Sequence, residues 1–302
     1  MIHPRSWAIF LRSTMNQPVI IDLDQRPELT ARVVALFAAC APGRDHVVCG
    51  IPARMGLTPT ADDLKRCSGV LVATRGAQAI AALAICPYSE QQVTFWGPAC
   101  AEGALAAFGA PLVAAARRAL GAADFASTRT LVDVRNRDLR RFLLGHGFSA
   151  WKDDHICERE LAAALPEAAA GVRLTARRHH AAVAELLTAA FTDSGHATPD
   201  LATREREGFR HYHLEDGGEI VAAAAVEDGG RRSWLKLIAV RPDRRGSKAG
   251  KRLLGGILHH EAQRGFATIG LEVLADNAIG IGLFERMGFM RRFTATVLVG
   301  PV

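Results

Sequence analysis

Residues 237–254 read Leu-Ile-Ala-Val-Arg-Pro-Asp-Arg-Arg-Gly-Ser-Lys-Ala-Gly-Lys-Arg-Leu-Leu. An apolar run suited to a buried strand passes through a short basic loop into a segment with helical periodicity. A turn of this kind offers unpaired backbone N–H groups and the positive end of a helix dipole. That chemistry holds a phosphate or pyrophosphate. Gly246 and Gly250 let the backbone approach a ligand closely, and Arg241, Arg244, Arg245, Lys248, Lys251 and Arg252 add positive charge. On these residues alone, an ordinary helix start with a solvated basic face stands level with this reading. Neither the P-loop spacing nor the G-x-G-x-x-G turn of dinucleotide-binding folds is present.

A second set of groups could move protons. His211 and His213 alternate on an expected strand and so share one face. Either is a candidate base, acting directly or through water, against the plainer reading of a packing histidine. As a metal pair they lack a third ligand at a suitable spacing, so no metal is expected. Asp193-Ser194-Gly195-His196 falls in an expected loop that could line a substrate site or be an ordinary turn. His179-His180 and His259-His260 are expected on helix surfaces. The six cysteines (Cys40, Cys49, Cys67, Cys86, Cys100 and Cys157) contain no C-x-x-C pair, and read as reduced, buried thiols.

The elements that must position these groups alternate between the two periods. Residues 171–177 read as a strand, 180–191 as a helix, and 211–226 as a hairpin turning at Asp216-Gly217-Gly218. Then follow a strand over 234–240, a helix over 250–264, a strand over 267–274, a helix over 278–287 ended by Gly288, and a last strand over 293–299. Asn277 suits the N-cap of the second of these helices. The pattern is α/β around a central sheet of mixed strand direction.

The chain also repeats itself. Gly109 and Gly250, Asn136 and Asn277, and Gly147-Phe148 and Gly288-Phe289 all stand 141 residues apart. One register through three landmarks argues for duplication of a whole domain. The Ala-rich stretch around Pro166 is the expected linker, dividing the chain into 1–165 and 166–302.

At residues 245–250 the resemblance becomes specific. Arg245-Gly246-Ser247-Lys248-Ala249-Gly250 resembles the [Q/R]-x-x-G-x-[G/A] loop of the GNAT N-acetyltransferase superfamily. It matches at Arg245 and Gly250, and departs at Lys248, where the family usually has Gly. Asn277, the helix after it and Gly288-Phe289 extend the likeness over about the last 130 residues. The resemblance implies two tandem GNAT-like domains, each a central mixed, mostly antiparallel sheet flanked by helices. It implies acetyl-CoA as co-substrate, with its pyrophosphate on Arg245, Gly246, Ser247, Lys248, Ala249, Gly250 and Lys251. Its pantetheine arm would pair with the backbone of Ile238 and Val240, and Asn277 would bond to that arm or to the strand end. The implied reaction is direct attack of a primary amine on the thioester. Phe284 stands in the cofactor-facing position where many members carry a Tyr general acid, and Trp234 and Lys236 stand where many carry a Glu.

The first half resembles a degenerate copy. Residues 70–74 and 80–85 form a hairpin around Arg75-Gly76, and residues 92–96 match the strand before the basic loop. The loop itself is missing: between Pro98 and Gly109 stands Glu102, with no Arg or Lys. This copy is expected to be non-catalytic and a poor holder of CoA, completing the substrate cleft or replacing a dimer partner, as in tandem-GNAT enzymes.

Composition sets the outer limits. With 302 residues, 49% hydrophobic and 23% charged, the chain reads as a two-domain, cytoplasmic, globular protein. No apolar run is long enough to span a bilayer, and the opening residues lack the pattern of a secretory signal, with Met15 a possible alternative start. The net charge of +6 favours anionic ligands, but no interleaved aromatics point to nucleic acid. The expected partners are acetyl-CoA and an unidentified amine, in a monomer or homodimer. A non-catalytic acyl-CoA sensor is the alternative.

Overall fold

In the computed structural model, residues 19–40, 44–89, 91–121, 125–166, 170–191 and 200–302 are described. The opening segment, Met15 and the 193–196 loop lie outside them. The first half runs β1 (Val19–Asp22), α1 (Thr30–Ala39), α2 (Ala61–Lys65), β2 (Gly69–Arg75), β3 (Gln78–Pro87), β4 (Gln92–Cys100), α3 (Leu105–Leu120), β5 (Ser127–Asp133), α4 (Arg137–Leu144) and β6 (Ser149–Glu160). The second half runs β7 (Val172–Leu174), α5 (His180–Ala190), α6 (Leu201–Arg206), β8 (Phe209–Asp216), β9 (Glu219–Asp228), β10 (Ser233–Val240), α7 (Ala249–Gln263), β11 (Thr268–Leu274), α8 (Ala278–Arg286) and β12 (Met290–Gly300). Periodicity had indicated the major elements of the second half; α6, only six residues long, was not among them.

Two compact units result: Met1–Asp154 with Phe293–Val302, and His155–Arg292. Their limits fall inside strands β6 and β12 rather than at the Ala-rich stretch around Pro166. Unit 1 orders its strands β1-β2-β3-β4-β5-β12-β6, using residues 149–154 of β6. Unit 2 orders them β6-β11-β10-β9-β8-β7, using residues 155–160 of β6. The last ten residues of the chain therefore serve the first unit, where β12 pairs with β5 from Ala295↔Asp133 to Gly300↔Thr128.

The duplication is visible in the backbone. β3 and β9, β4 and β10, β5 and β11, α4 and α8, and β6 and β12 all begin 141 residues apart. Asn136 (φ −82°, ψ 72°) and Asn277 (φ −81°, ψ 73°) cap their helices in the same conformation. Each side chain accepts from a backbone N–H three residues on, Leu139 at 3.1 Å and Gly280 at 2.9 Å, which satisfies one of the donors a helix start leaves open.

In unit 2 the hairpin β8–β9 turns at Gly217 (φ 61°) and Gly218 (φ 83°), the two positive-φ residues that a tight primed turn requires. β9 is Ala-rich and buried on both faces, so it reads as one apolar run rather than an alternation. On one face, Val183 and Leu187 of α5 pack with Leu201, Ala223 and Ala239. Val183, Leu187 and Leu201 each contribute about 1.5–3 kcal/mol by burial. On the other, α7 lays Leu253, Leu254, Ile257 and Leu258 against Tyr212, Leu214 and Val226. A buried ion pair ties α7 to β8: Arg210 donates to Glu261 through Nε (3.0 Å) and Nη2 (2.6 Å), and Tyr212 Oη donates to the same carboxylate at 2.6 Å.

Candidate functional site

β10 pairs with β9 along its whole length, but with β11 only over Ser233–Leu235 among the described residues. Beyond Leu235 the two parallel strands diverge. Arg241 N–H donates to Val221 at 2.9 Å. Because hydrogen-bonded and non-bonded pairs alternate in an antiparallel ladder, Ala239 also turns its backbone groups to β9. Ile238 and Val240 therefore direct theirs to the open side. That is a slot edged by unpaired backbone donors and acceptors.

The slot leads to the basic loop. Gly246 (φ 80°) and Lys248 (φ 66°, ψ 9°) both adopt left-handed backbone, and Lys248 is the only non-glycine to do so among the described residues. The lysine thus takes up the glycine-like conformation that its side chain disfavours. α7 begins at Ala249 with no side-chain cap, so the first N–H groups of the helix remain open to an anion. Ser247 turns its hydroxyl back onto the Arg244 carbonyl at 2.6 Å. Gly250 sits where a Cβ would stand 3.4 Å from Val240 and 3.5 Å from Leu283.

The six basic residues of this region divide into two groups. Arg241 is paired with Glu219 (2.9 Å) and Asp243 (2.7 Å), Arg244 with Glu219 (3.5 Å), and Arg252 with Asp216 (3.3 Å). Arg245, Lys248 and Lys251 are exposed and make no ion pair among the described residues. They are the charges available to a ligand. Asn277 is exposed and caps α8, its Oδ1 accepting from the Gly280 N–H. Phe284 is turned into the core, 7% exposed, edge-on to Phe289 at 5.7 Å.

Against the α5 face lies a cavity of about 540 Å³. It is bounded by α5, the β8–β9 turn and the end of β10, with Glu185, Glu215, His179, Val240 and Arg245 in its wall. This volume is within the range that takes small molecules. Register places His213 opposite Ala223, and Ala223 opposite Ala239. His213 is thus two strands, roughly 10 Å, from the open edge of β10, on the same face.

The two histidines named from the sequence share that face, as alternation requires, but differ in surroundings. Both are 1% exposed. His211 faces Glu205 (3.8 Å), and burial pushes its pKa down to about 4 despite that carboxylate. His213 holds Thr175 Oγ1 through Nδ1 at 3.0 Å and turns Nε2 towards Glu215 at 3.5 Å. Burial, then the neighbouring His179, lowers its pKa. His179 and His180, expected at the surface, instead pack into this cluster: His179 Nε2 lies 3.7 Å from Glu215 and His180 Nε2 lies 3.2 Å from Glu205. Sequence reasoning missed Glu205, Glu215 and Glu185. The i, i+2 step from His213 to Glu215 was the one available signal.

In unit 1 the corresponding slot is closed. Among the described residues β4 pairs with β5 only up to Phe95↔Thr130, and beyond that point Val47 bridges Val132 of β5. The chain's own segment occupies the open edge. His46 beside it bonds Asp133 through Nδ1 at 2.9 Å, and Arg135 clasps the same carboxylate. Burial opposes ionisation of Asp133, but the Arg135 and His46 hydrogen bonds outweigh it and bring its pKa down to about 2.

Residues 180–289 match the model of the acetyltransferase (GNAT) family. Ribosomal protein bS18 alanine N-acetyltransferase of Escherichia coli (strain K12) is 34% identical over 89 residues, which are 30% of this chain and 60% of that protein. The chain thus spans less than two thirds of that relative's length. Among solved structures, a GCN5-related N-acetyltransferase from Sphaerobacter thermophilus superposes with a TM-score of 0.70 at 16% identity, over 91% of this chain and 93% of that one. A tandem GNAT protein from the clavulanic acid biosynthesis pathway superposes with a TM-score of 0.62 at 17% identity, over 94% and 98%. At these identities the two superpositions speak for the fold, here including its tandem form. The match to the acetyltransferase (GNAT) family model thus lies within unit 2, over residues 180–289.

Proposed function

We propose that unit 2 is an acetyl-CoA-dependent N-acetyltransferase acting on a primary amine. One observation carries the reading: a slot of unpaired β10 backbone opens onto an uncapped helix N-terminus with three unpaired cations. A pyrophosphate fits the N–H groups of residues 246–251, with Arg245, Lys248 and Lys251 supplying charge. An amide-containing arm fits the Ile238 and Val240 backbone. Asn277 Nδ2 is free of the capping bond and is available to that arm. Phe284 would contribute only apolar contact.

The acceptor amine would enter the 540 Å³ cavity, where Glu185 and Glu215 favour an ammonium. On attack, the amine nitrogen bonds to the thioester carbon and the C–S bond breaks. A backbone N–H of β10 would stabilise the oxygen on which charge develops. His213, which faces the cavity-lining Glu215, is the proposed proton acceptor; His211 faces Glu205, which is not part of that wall, and is not. With Phe284 unable to donate a proton, the thiolate would leave without acid help. The relative named for alanine N-acetylation of ribosomal protein bS18 suggests an alanine amine as one acceptor class, and the cavity volume favours a small amine-bearing group. In unit 1, Val47 in the slot and Glu102 near the helix start argue against CoA binding.

Calorimetric titration of acetyl-CoA into the whole chain tests this, with Arg245→Ala/Lys251→Ala as the comparison. One site per chain is expected. Loss of two exposed charges at about 1 kcal/mol each predicts roughly thirtyfold weaker binding in the variant. No binding to the wild type would end the reading. Binding without acetylation of any amine in a panel would leave an acyl-CoA sensor, and two sites would overturn the account of unit 1.

A further inference from the structure

Four histidines and two glutamates meet between the start of α5 and strand β8, more than a proton-accepting pair requires. Nε2 of His180, Nδ1 of His211 and Nε2 of His213 are buried without a hydrogen-bond partner. The first two face Glu205; a buried ring nitrogen left unpaired costs free energy, so His213 Nε2 calls for a ligand. One trio has the geometry for it. The ligating atoms of His179, His213 and Glu215 all lie within 4.8 Å of one another. Glu215 Oε1 stands 3.5 Å from His213 Nε2 and 3.7 Å from His179 Nε2. These distances are too long for good hydrogen bonds. They match the spacing that one small ion imposes: ligands at about 2.1 Å in a tetrahedron lie roughly 3.4 Å apart.

We propose that His179, His213 and Glu215 form a binding site for a divalent transition-metal ion of the zinc type. Two imidazoles and a carboxylate suit a borderline ion rather than calcium or magnesium. The hydrogen bond between His213 Nδ1 and Thr175 Oγ1 orients the ring and leaves Nε2 to bind, as partners of metal-bound histidines do. His179 and Glu215 also line the 540 Å³ cavity, which provides the entry path and leaves the remaining coordination position facing open space. Two cations compete. Arg178 Nε donates to His179 Nε2 at 3.0 Å, and Arg173 lies 4.0 Å from Glu215. Both side chains are exposed and can turn to solvent as the ion enters. The site stands whether or not unit 2 transfers acyl groups. If it does, the ion and the amine proton compete for the same Nε2.

The test is titration of the untagged, chelator-treated full chain with Co²⁺, followed by visible absorption. One equivalent is expected to give the intense d–d bands of a four- or five-coordinate ion. Glu215→Gln and His179→Ala should each weaken binding by about tenfold or more with far-UV circular dichroism unchanged. His146→Ala in unit 1 should bind as the wild type does. A wild type that shows only the spectrum of aqueous Co²⁺, or variants that bind equally well, would overturn the proposal.

Discussion

Lys248 holds a left-handed backbone (φ 66°, ψ 9°) directly before α7, and this permits a clean test of the loop's physics. A residue with a Cβ loses about 1–2 kcal/mol in that conformation. Glycine loses nothing there, but it orders more backbone on folding, at a cost of about 0.5–1 kcal/mol. Lys248→Ala and Lys248→Gly remove the same exposed, unpaired ammonium and differ only in this balance. Lys248→Gly should therefore be the more stable of the two by roughly 0.5–1 kcal/mol, or about 1–4 °C in the unfolding midpoint of unit 2. Thermal unfolding followed by circular dichroism measures the difference. Both variants should weaken acetyl-CoA by less than about tenfold, since one exposed ammonium is worth about 1 kcal/mol or less. Equal midpoints, or the alanine variant being the more stable, would refute the claim that the loop is held against its own backbone preference.

Three further outcomes follow from the packing. Gly256→Ala would put a Cβ 2.5 Å from Val172; overpacking of this kind costs about 1–3 kcal/mol, readable as a lower denaturant midpoint, with increased amide exchange in β7. Glu261→Ala would leave Arg210 buried without its main counter-charge, and a loss of about 3–5 kcal/mol is expected; a loss below about 1 kcal/mol in urea unfolding would mean that Asp228, 3.2 Å from Arg210, suffices. In unit 1 the folded pKa of Asp133 is about 2, against an ordinary value of 3.8. Its contribution is present above the unfolded pKa and is lost as pH falls from about 4 towards 2, a change of about 2 kcal/mol. Denaturant unfolding across that window should show a steeper slope in the wild type than in Asp133→Asn.

Local physics explains what could be read without coordinates. Apolar periodicity marks β10, α7, β11 and α8. Asn136 and Asn277 mark helix starts because an Asn side chain can satisfy a backbone donor three residues on. Gly217-Gly218 marks a turn because only glycine takes positive φ cheaply. The 141-residue register needs no folding argument at all. Each of these signals depends on residues within a few positions of one another, and so survives in a linear sequence.

Long-range packing decided the rest. Nothing in residues 293–302 says that they pair with β5 of unit 1. The slot beside Ile238 and Val240 exists because β11 follows β10 only to Leu235. In unit 1 the same edge is taken by Val47, 85 residues before Val132 in the chain. Six neighbouring basic residues look alike in sequence. Only the positions of Glu219, Asp243 and Asp216 separate three neutralised arginines from Arg245, Lys248 and Lys251. His213 had no third ligand by spacing. The fold supplied His179 from the segment before α5 and Glu215 from its own strand, because the β-strand period puts positions 213 and 215 on one face and helix packing lays α5 over it.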